Sequence, residues 1–197
     1  MPAGPTQLDG NRVAQALNHA LPGIATTATD EWVEVDPARL DESLRWLHDS
    51  EEFDAAQLSS LCGVDYHDHF MIVYHLQSLD LNQQIVVKAR IADHESPALP
   101  SAYPVYKGAL LQEREVFDLM GVHFEGHPDL RRLFLWDGFP GHPLRKDFLG
   151  IGQGLTSGLS RFPFENKEQP DRLLNRDNVL DADSQDVPGG WSGAAPA

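Results

Sequence analysis

Hydrophobic and polar positions alternate most cleanly over residues 84–91. Ile85, Val87, Ala89 and Ile91 fall on one face there, and Lys88 and Arg90 on the other. That is the period of a half-buried strand. Residues 69–76, His-Phe-Met-Ile-Val-Tyr-His-Leu, have strand composition. Asp80-Leu81-Asn82 supplies turn chemistry between the two runs, so a hairpin is expected. Leu40, Leu44 and Leu47 recur at i, i+4 and i+7 and predict a helix with one apolar face. Asp36 is a natural N-cap for it and Pro37 a natural first residue. A strand is expected over 32–35 and a short helix over 12–20. A further helix is expected from about Val105 to Met120, with Gly121 as its C-cap. On that helix Arg114 and Asp118 stand at i, i+4 and are expected to pair. Residues 53–66 fit either a helix end or a strand, with Leu58, Leu61 and Val64 as candidate core. Residues 93–104 hold three prolines and read as loop.

The periodicity fades after Phe148. Residues 150–158 read as a glycine-rich connector, and 161–180 have apolar content without a period. The stretch from Asp181 is acidic and then rich in Pro, Gly and Ala, a composition expected to be disordered. The fold class expected is α+β. It is a single compact domain, a small mixed or antiparallel sheet packed by helices, followed by a long extended C-terminal arm. The expected divisions are an N-terminal segment over 1–29, a core over 30–122, a docking segment over 123–150 and the arm over 151–197.

With 41% apolar residues the chain can bury a core, and no apolar run is long enough to span a membrane. Its first residues lack the basic and apolar regions of a secretion signal, so export is not expected. Cys62 is the single cysteine. That excludes an internal disulfide and a cluster held by four thiolates. The net charge is −15, of which residues 1–112 carry −10 and residues 113–147 only −2. Such a surface repels a phosphate backbone and an anionic bilayer, so nucleic acid and direct lipid binding are disfavoured. The cations gather in the middle segment as the adjacent pairs Arg131/Arg132 and Arg145/Lys146.

Catalytic chemistry finds little support. His123 and His127 are four apart and His142 is a possible third ligand, which keeps open a metal-dependent enzyme using these three. However, Gly121, Gly126 and Pro128 break any helix through the pair, and no Glu follows His123. His67 and His69 flank Asp68 as another possible chelate. The alternative is that these histidines cap turns and bond to carbonyls. No nucleophile elbow occurs. Cys62 sits in an apolar stretch and reads as a small buried hydrophobe. Glu113 and Glu115 point in different directions on a helix and make a poor acid–base pair. The glycines at 150, 152 and 154 match neither a dinucleotide nor a P-loop pattern.

One segment stands apart. Residues 113–132 read Glu-Arg-Glu-Val-Phe-Asp-Leu-Met-Gly-Val-His-Phe-Glu-Gly-His-Pro-Asp-Leu-Arg-Arg, and Gly-His-Pro-Leu-Arg-Lys-Asp follows at 141–147. Proline fixes its own φ and keeps the preceding His out of the α region. Each Gly-His-Pro is thus a stiff strip ending in two cations, with Phe134, Trp136, Phe139 and Phe148 interleaved. Arginine forks and aromatic anchors in this density point to a protein interface. The competing reading is that the arginines pair with the chain's own acids.

These residues, together with Leu61–Tyr66 and the Tyr103-Pro104 approach, resemble the 30 kDa subunit of respiratory complex I, over roughly residues 30–150. The resemblance implies an α+β subunit in the peripheral arm of a proton-translocating NADH:quinone oxidoreductase, on the cytoplasmic side of the cell membrane. It implies a scaffold with no catalytic residues, no metal and no cofactor of its own, FMN and Fe–S clusters lying on other subunits. The partners implied are the large quinone-pocket (49 kDa-type) subunit and neighbouring cluster-bearing subunits, with the membrane reached only through the complex. Glu113, Arg114, Glu115 and Asp118 would set the helix. His127, Asp129, Arg131, Arg132, His142, Arg145, Lys146 and Asp147 would complete the interface. The equivalent scaffold of a membrane-bound hydrogenase is a third reading, after the metal-dependent enzyme. The chain departs from the family at Leu110-Leu111-Gln112, where an aromatic is usual, and at Leu149, where a proline is usual.

Overall fold

The computed structural model describes residues 4–66, 68–139 and 141–148. His67, Leu149, the glycine-rich run and the expected arm lie outside them. The chain divides into two compact units: Met1–Phe134 with His142–Lys146, and Leu135–Gly141 with the residues from Asp147.

Among the described residues the first unit holds all the regular structure, and it is α+β. In chain order it has β1 (Thr6–Gln7), α1 (Gly10–Ala20), β2 (Ala25–Ala28), β3 (Val33–Val35), a 3-10 turn over Pro37–Arg39, α2 (Leu40–Asp49), β4 (Gln57–Asp65), β5 (Phe70–Ser78), β6 (Gln83–Ile91), β7 (Ala98–Pro100), α3 (Ala109–Met120) and β8 (His123–Glu125). The main sheet runs β2-β3-β6-β5-β4, with β1 also on β6. It is mixed: β4, β5 and β6 are antiparallel neighbours, whereas β3 and β1 join β6 in parallel.

The expected hairpin forms, as β5 and β6. Ile85, Val87, Ala89 and Ile91 are buried against Phe70, Ile72, Tyr74 and Leu76. Arg90 is in water, and Lys88 lies 4.2 Å over the Trp32 ring. Leu40, Leu44 and Leu47 of α2 are fully buried, and Asp36 accepts from the amide of Ala38 as the cap. Each such leucine stabilises the fold by about 2 kcal/mol.

Other expectations are changed by tertiary pairing. The ambiguous residues 53–66 contain β4, with a register shift between Leu58 and Ser60. The bulge lets Leu58 and Leu61, three apart, both point inward. Beyond it the period of two resumes, so Val64 and Cys62 face outward. Cys62 is therefore exposed and not core; partial burial and the charge of Glu115 raise its pKa. The loop 93–104 contributes β7, which pairs in parallel with β8. The 105–108 stretch forms turns, and α3 begins only at Ala109. Gly121 caps α3 as expected, with φ 78°. The N-terminal segment is woven into the main sheet through β1 and β2.

Gly10 opens α1 where the helix passes under the β2–β3 turn. A β-carbon there would lie 2.3 Å from the carbonyl oxygen of Trp32 and 2.6 Å from that of Thr29. At an open helix site Gly→Ala gains up to about 1 kcal/mol. Here Gly10→Ala forces α1 off the sheet and is expected to cost about 1–3 kcal/mol, read as a lower Tm; an unchanged or higher Tm would refute this packing.

Candidate functional site

Helix α3 buries charge where a helix ordinarily buries leucine. Glu113 and Asp118 are fully buried and Arg114 nearly so. Charges out of water destabilise unless paired and fully hydrogen-bonded. Arg114 and Asp118 find their partners in the strip that follows β8, and Glu113 finds its own in the residues just after β7.

Asp118 is the most heavily used of the three. Its Oδ2 accepts from the backbone amides of Leu133 (3.0 Å) and Phe134 (2.8 Å). Its Oδ1 accepts from the Arg132 guanidinium at 3.0 Å. Arg114, one turn earlier, donates Nε to the Arg131 carbonyl and Nη2 to the Arg132 carbonyl, each at 3.0 Å. Its Nη1 stands 3.7 Å from Asp129. The expected Arg114–Asp118 pairing along the helix is thus replaced: both side chains turn to the strip, because unpaired backbone groups there need partners. His127 donates Nε2–H to the Leu110 carbonyl (3.0 Å), and its Nδ1 accepts from the Asp129 amide (3.0 Å).

The second strip closes the other end of α3. The last carbonyls of a helix lack intrahelical donors. His142 donates Nδ1–H to the Asp118 carbonyl at 2.9 Å, and the Leu144 amide donates to the Leu119 carbonyl at 2.9 Å. Both Gly-His-Pro copies begin on a glycine with positive φ, 82° at Gly126 and 98° at Gly141. That conformation sets each strip's entry and suits glycine.

A further clamp sits at the end of β4. Asp65, buried, accepts from the Lys146 amide (2.8 Å) and from His94 Nε2 (3.0 Å). Arg145 donates Nη2 to the His94 carbonyl (2.8 Å) and contacts His94 Nδ1 (3.0 Å). The imidazole stacks on Phe70, with centroids 4.4 Å apart.

Glu113 differs from Asp118. It accepts from the Ala102 amide and the Ser101 hydroxyl, both at 2.6 Å. Burial pushes its pKa up to about 7, against the pull of those two donors. Nearby, the Tyr74 hydroxyl is buried with no hydrogen-bond partner among the described residues. Burial and the charge of Glu113 raise the Tyr74 pKa well above its ordinary value.

The residues singled out from sequence therefore divide. Glu113, Arg114, Asp118, His127, Arg132, His142 and Arg145 bond within the chain. Arg131 keeps its side chain 71% exposed and touches Asp129 at 3.0 Å. Glu115, Lys146 and Asp147 are exposed. In the second unit Trp136 and Phe139 meet edge to face at 4.8 Å, and Phe139 stacks on Phe148 at 6.0 Å. His123 is exposed on β8, and no group of three potential metal ligands gathers among the described residues. Asp65, His94 and Ser101 were not anticipated. Asp65 carried a signal, an acid on the apolar face of a strand; His94 and Ser101 carried none.

Residues 33–153 match the family described as respiratory-chain NADH dehydrogenase, 30 Kd subunit. The chain is 42% identical over 142 residues to the C-type subunit of the NADH-quinone oxidoreductase of Maricaulis maris, covering 71% of this chain and 70% of that protein. It is 42% identical over 119 residues to a Phocaeicola vulgatus protein named as the combined C/D-type subunit of NADH-quinone oxidoreductase, covering 60% of this chain and 22% of that one. A chain in the solved structure of the membrane-bound sulfane sulfur reductase, an archaeal respiratory membrane complex, shares the fold with a TM-score of 0.59. It is 24% identical and is covered to 96%, against 83% of this chain.

Asp118→Ala leaves the Arg132 guanidinium and two amides without their acceptor. It is expected to cost about 3–5 kcal/mol and to speed tryptic cleavage at Arg131 and Arg132; wild-type Tm and wild-type cleavage would contradict the clamp. Glu113 supplies a pH test. Its folded pKa is raised from 4.5 to about 7, so its contribution is fully present below 4.5 and lost as pH rises through 7. Relative to Glu113→Gln, the wild type should lose roughly 3 kcal/mol between pH 4.5 and 8, measured by denaturant melts; a pH-independent difference would contradict this.

Proposed function

We propose that this chain, which belongs to the respiratory-chain NADH dehydrogenase 30 Kd subunit family, is a scaffold without chemistry of its own in a proton-translocating NADH:quinone oxidoreductase. Family membership makes it a component of the NADH-quinone oxidoreductase complex. Within that complex we assign it to the peripheral arm on the cytoplasmic side, docked on the large quinone-pocket (49 kDa-type) subunit. FMN and the Fe–S clusters then lie on other subunits, and electrons pass from NADH to quinone without entering this chain.

The observation that carries this reading is where the charged residues of α3 point. Catalytic acids and bases face a cleft that substrate can enter. Glu113, Arg114 and Asp118 instead bond to this chain's own backbone and side chains, so they hold shape. A shallow cleft lined by Pro37, Ala38, Ala98, Leu99, Pro100 and Glu125 takes none of its lining from α3 and contains one ionisable group. The relative named as a combined C/D type bears both names on one polypeptide, which supports a D-type subunit as the neighbour. We identify that neighbour with the large quinone-pocket subunit. Among the described residues no helix is long and apolar enough to cross a membrane, which fits attachment through the complex.

The structure separates two arginines that are adjacent in sequence. Arg132 pairs with the buried Asp118, so its charge reversal would set two carboxylates together and damage the fold. Arg131 points outward and is the clean probe of docking. A tagged wild-type chain from detergent-solubilised membranes should carry the D-type and cluster-bearing subunits and NADH-to-quinone activity. Arg131→Glu should keep the wild-type Tm but recover roughly tenfold less partner, whereas Arg132→Glu should lower the Tm. Recovery of the wild-type chain alone, from the soluble fraction, would overturn the assignment.

A further inference from the structure

The anchors around α3 end in an unexpected way: several of their polar groups are inside, and among what they hold out to water are large apolar side chains. Phe134 is 64% exposed, Leu144 58% and Tyr66 49%. Single exposed hydrophobics are ordinary. These three are not placed singly. Phe134 is held by its amide on Asp118, and Leu144 by its amide on the next residue of the helix, Leu119. Two residues on, the Lys146 amide is held by Asp65, the residue before Tyr66. Strip 142–146 thus runs from the C-terminal end of α3 to the end of β4, with Phe134 at one end, Leu144 between and Tyr66 at the other. The Tyr66 ring is itself set, stacked on His69 with centroids 4.8 Å apart and planes 4° apart.

Exposed cations lie beside this row. Lys146 is exposed two residues from Leu144, its ammonium 5.9 Å from the Tyr66 ring. Arg131 stands three residues before Phe134, with its carbonyl clamped by Arg114 and its largely exposed guanidinium paired with Asp129 at 3.0 Å. Acids stand among them: Asp129 on Arg131, and the exposed Asp147, which follows Lys146. Aromatic and aliphatic anchors with a charged rim are the make-up of an interface centre. Anchors already fixed by backbone bonds lose little freedom on binding.

We infer that the row Phe134–Leu144–Tyr66, rimmed by Arg131 and Lys146, is the seat of the D-type subunit, which offers it an apolar depression. This inference rests on the scaffold reading above and specifies its chemistry: the row supplies the grip, and the buried charges of α3 hold the row in place. The D-type subunit is chosen as occupant because a relative bears the C and D names on one polypeptide.

The test replaces the host's own copy with tagged full-length chain and quantifies the D-type subunit recovered from solubilised membranes. Phe134→Ser with Leu144→Ser is compared with Leu79→Ser. Leu79 is 68% exposed in the β5–β6 turn, at the other end of β5 from the Phe70–Asp65 pairing, roughly 30 Å away along the strand. The expected result is recovery at least tenfold lower for the double variant, wild-type recovery for Leu79→Ser, and equal melting temperatures for all three chains. Equal recovery from the double variant while the wild type assembles would overturn this surface and leave the scaffold reading standing. Equal losses from Leu79→Ser would also overturn it. A purified wild-type chain that dimerises, with a monomeric double variant, would give the row to a second copy and overturn the choice of partner. A wild-type chain that recovers no D-type subunit would overturn the scaffold reading as well.

Discussion

The structure around the signature segment depends on one carboxylate that cannot reach water. Asp118 is fully buried, so its charge has to be answered by donors from the protein. Arg132 and the amides of Leu133 and Phe134 answer it. Each donor belongs to a stretch with no regular structure of its own. Three bonds from one rigid helix side chain therefore fix a stretch that local propensity leaves undefined. The carbonyl of the same residue receives His142, so both Gly-His-Pro strips are referred to a single turn of α3.

This arrangement makes sense of polar chemistry where an apolar contact would be more stabilising. Replacing a buried ionic network with well-packed hydrophobes is often neutral or favourable for stability. An apolar contact is non-directional, however, and tolerates a strip that slides or rolls. Carboxylate–amide bonds have a geometry, and a slip by one residue leaves a buried charge unmet. Directional anchors select one conformation, which a surface meant to fit a partner needs more than it needs additional stability.

Much of the fold could be read from periodicity because the relevant contacts are local. Alternation found β6, strand-like composition found β5, the i, i+4, i+7 leucines found α2, and Gly121 marked the end of α3. β7 and β8 could not be read: each is three residues long, and they pair across more than twenty residues of intervening chain. β4 was ambiguous because its bulge breaks the period that would have identified it. The signature segment was recognisable from its order of residues, yet its physics was only half legible. Arg114, Arg131 and Arg132 are alike as letters. Which of them is internal depends on where Asp118 and the carbonyls of 131 and 132 lie in space. Asp65 and His94, remote in sequence from the strips they hold, show the same limit.

The inside-out polarity of this region links rigidity to assembly. Ordinarily a chain buries apolar side chains and shows charge. Here charge on α3 is buried so that apolar side chains can be shown at fixed positions. A fold concerned only with its own stability has no use for backbone bonds that hold Phe134 and Leu144 in water, since their apolar area stabilises nothing until covered. On the docking proposed above, this is a hydrophobic contribution that a partner would realise. Because the anchors are already ordered, most of that contribution is available to binding and little is lost to ordering loops. A rigid piece of a large electron-transfer assembly benefits from that balance, since the geometry it imposes on its neighbours is only as firm as its own strips. By this argument the charged signature and the apolar row are one device, the first read from the sequence and the second visible only once the chain is folded.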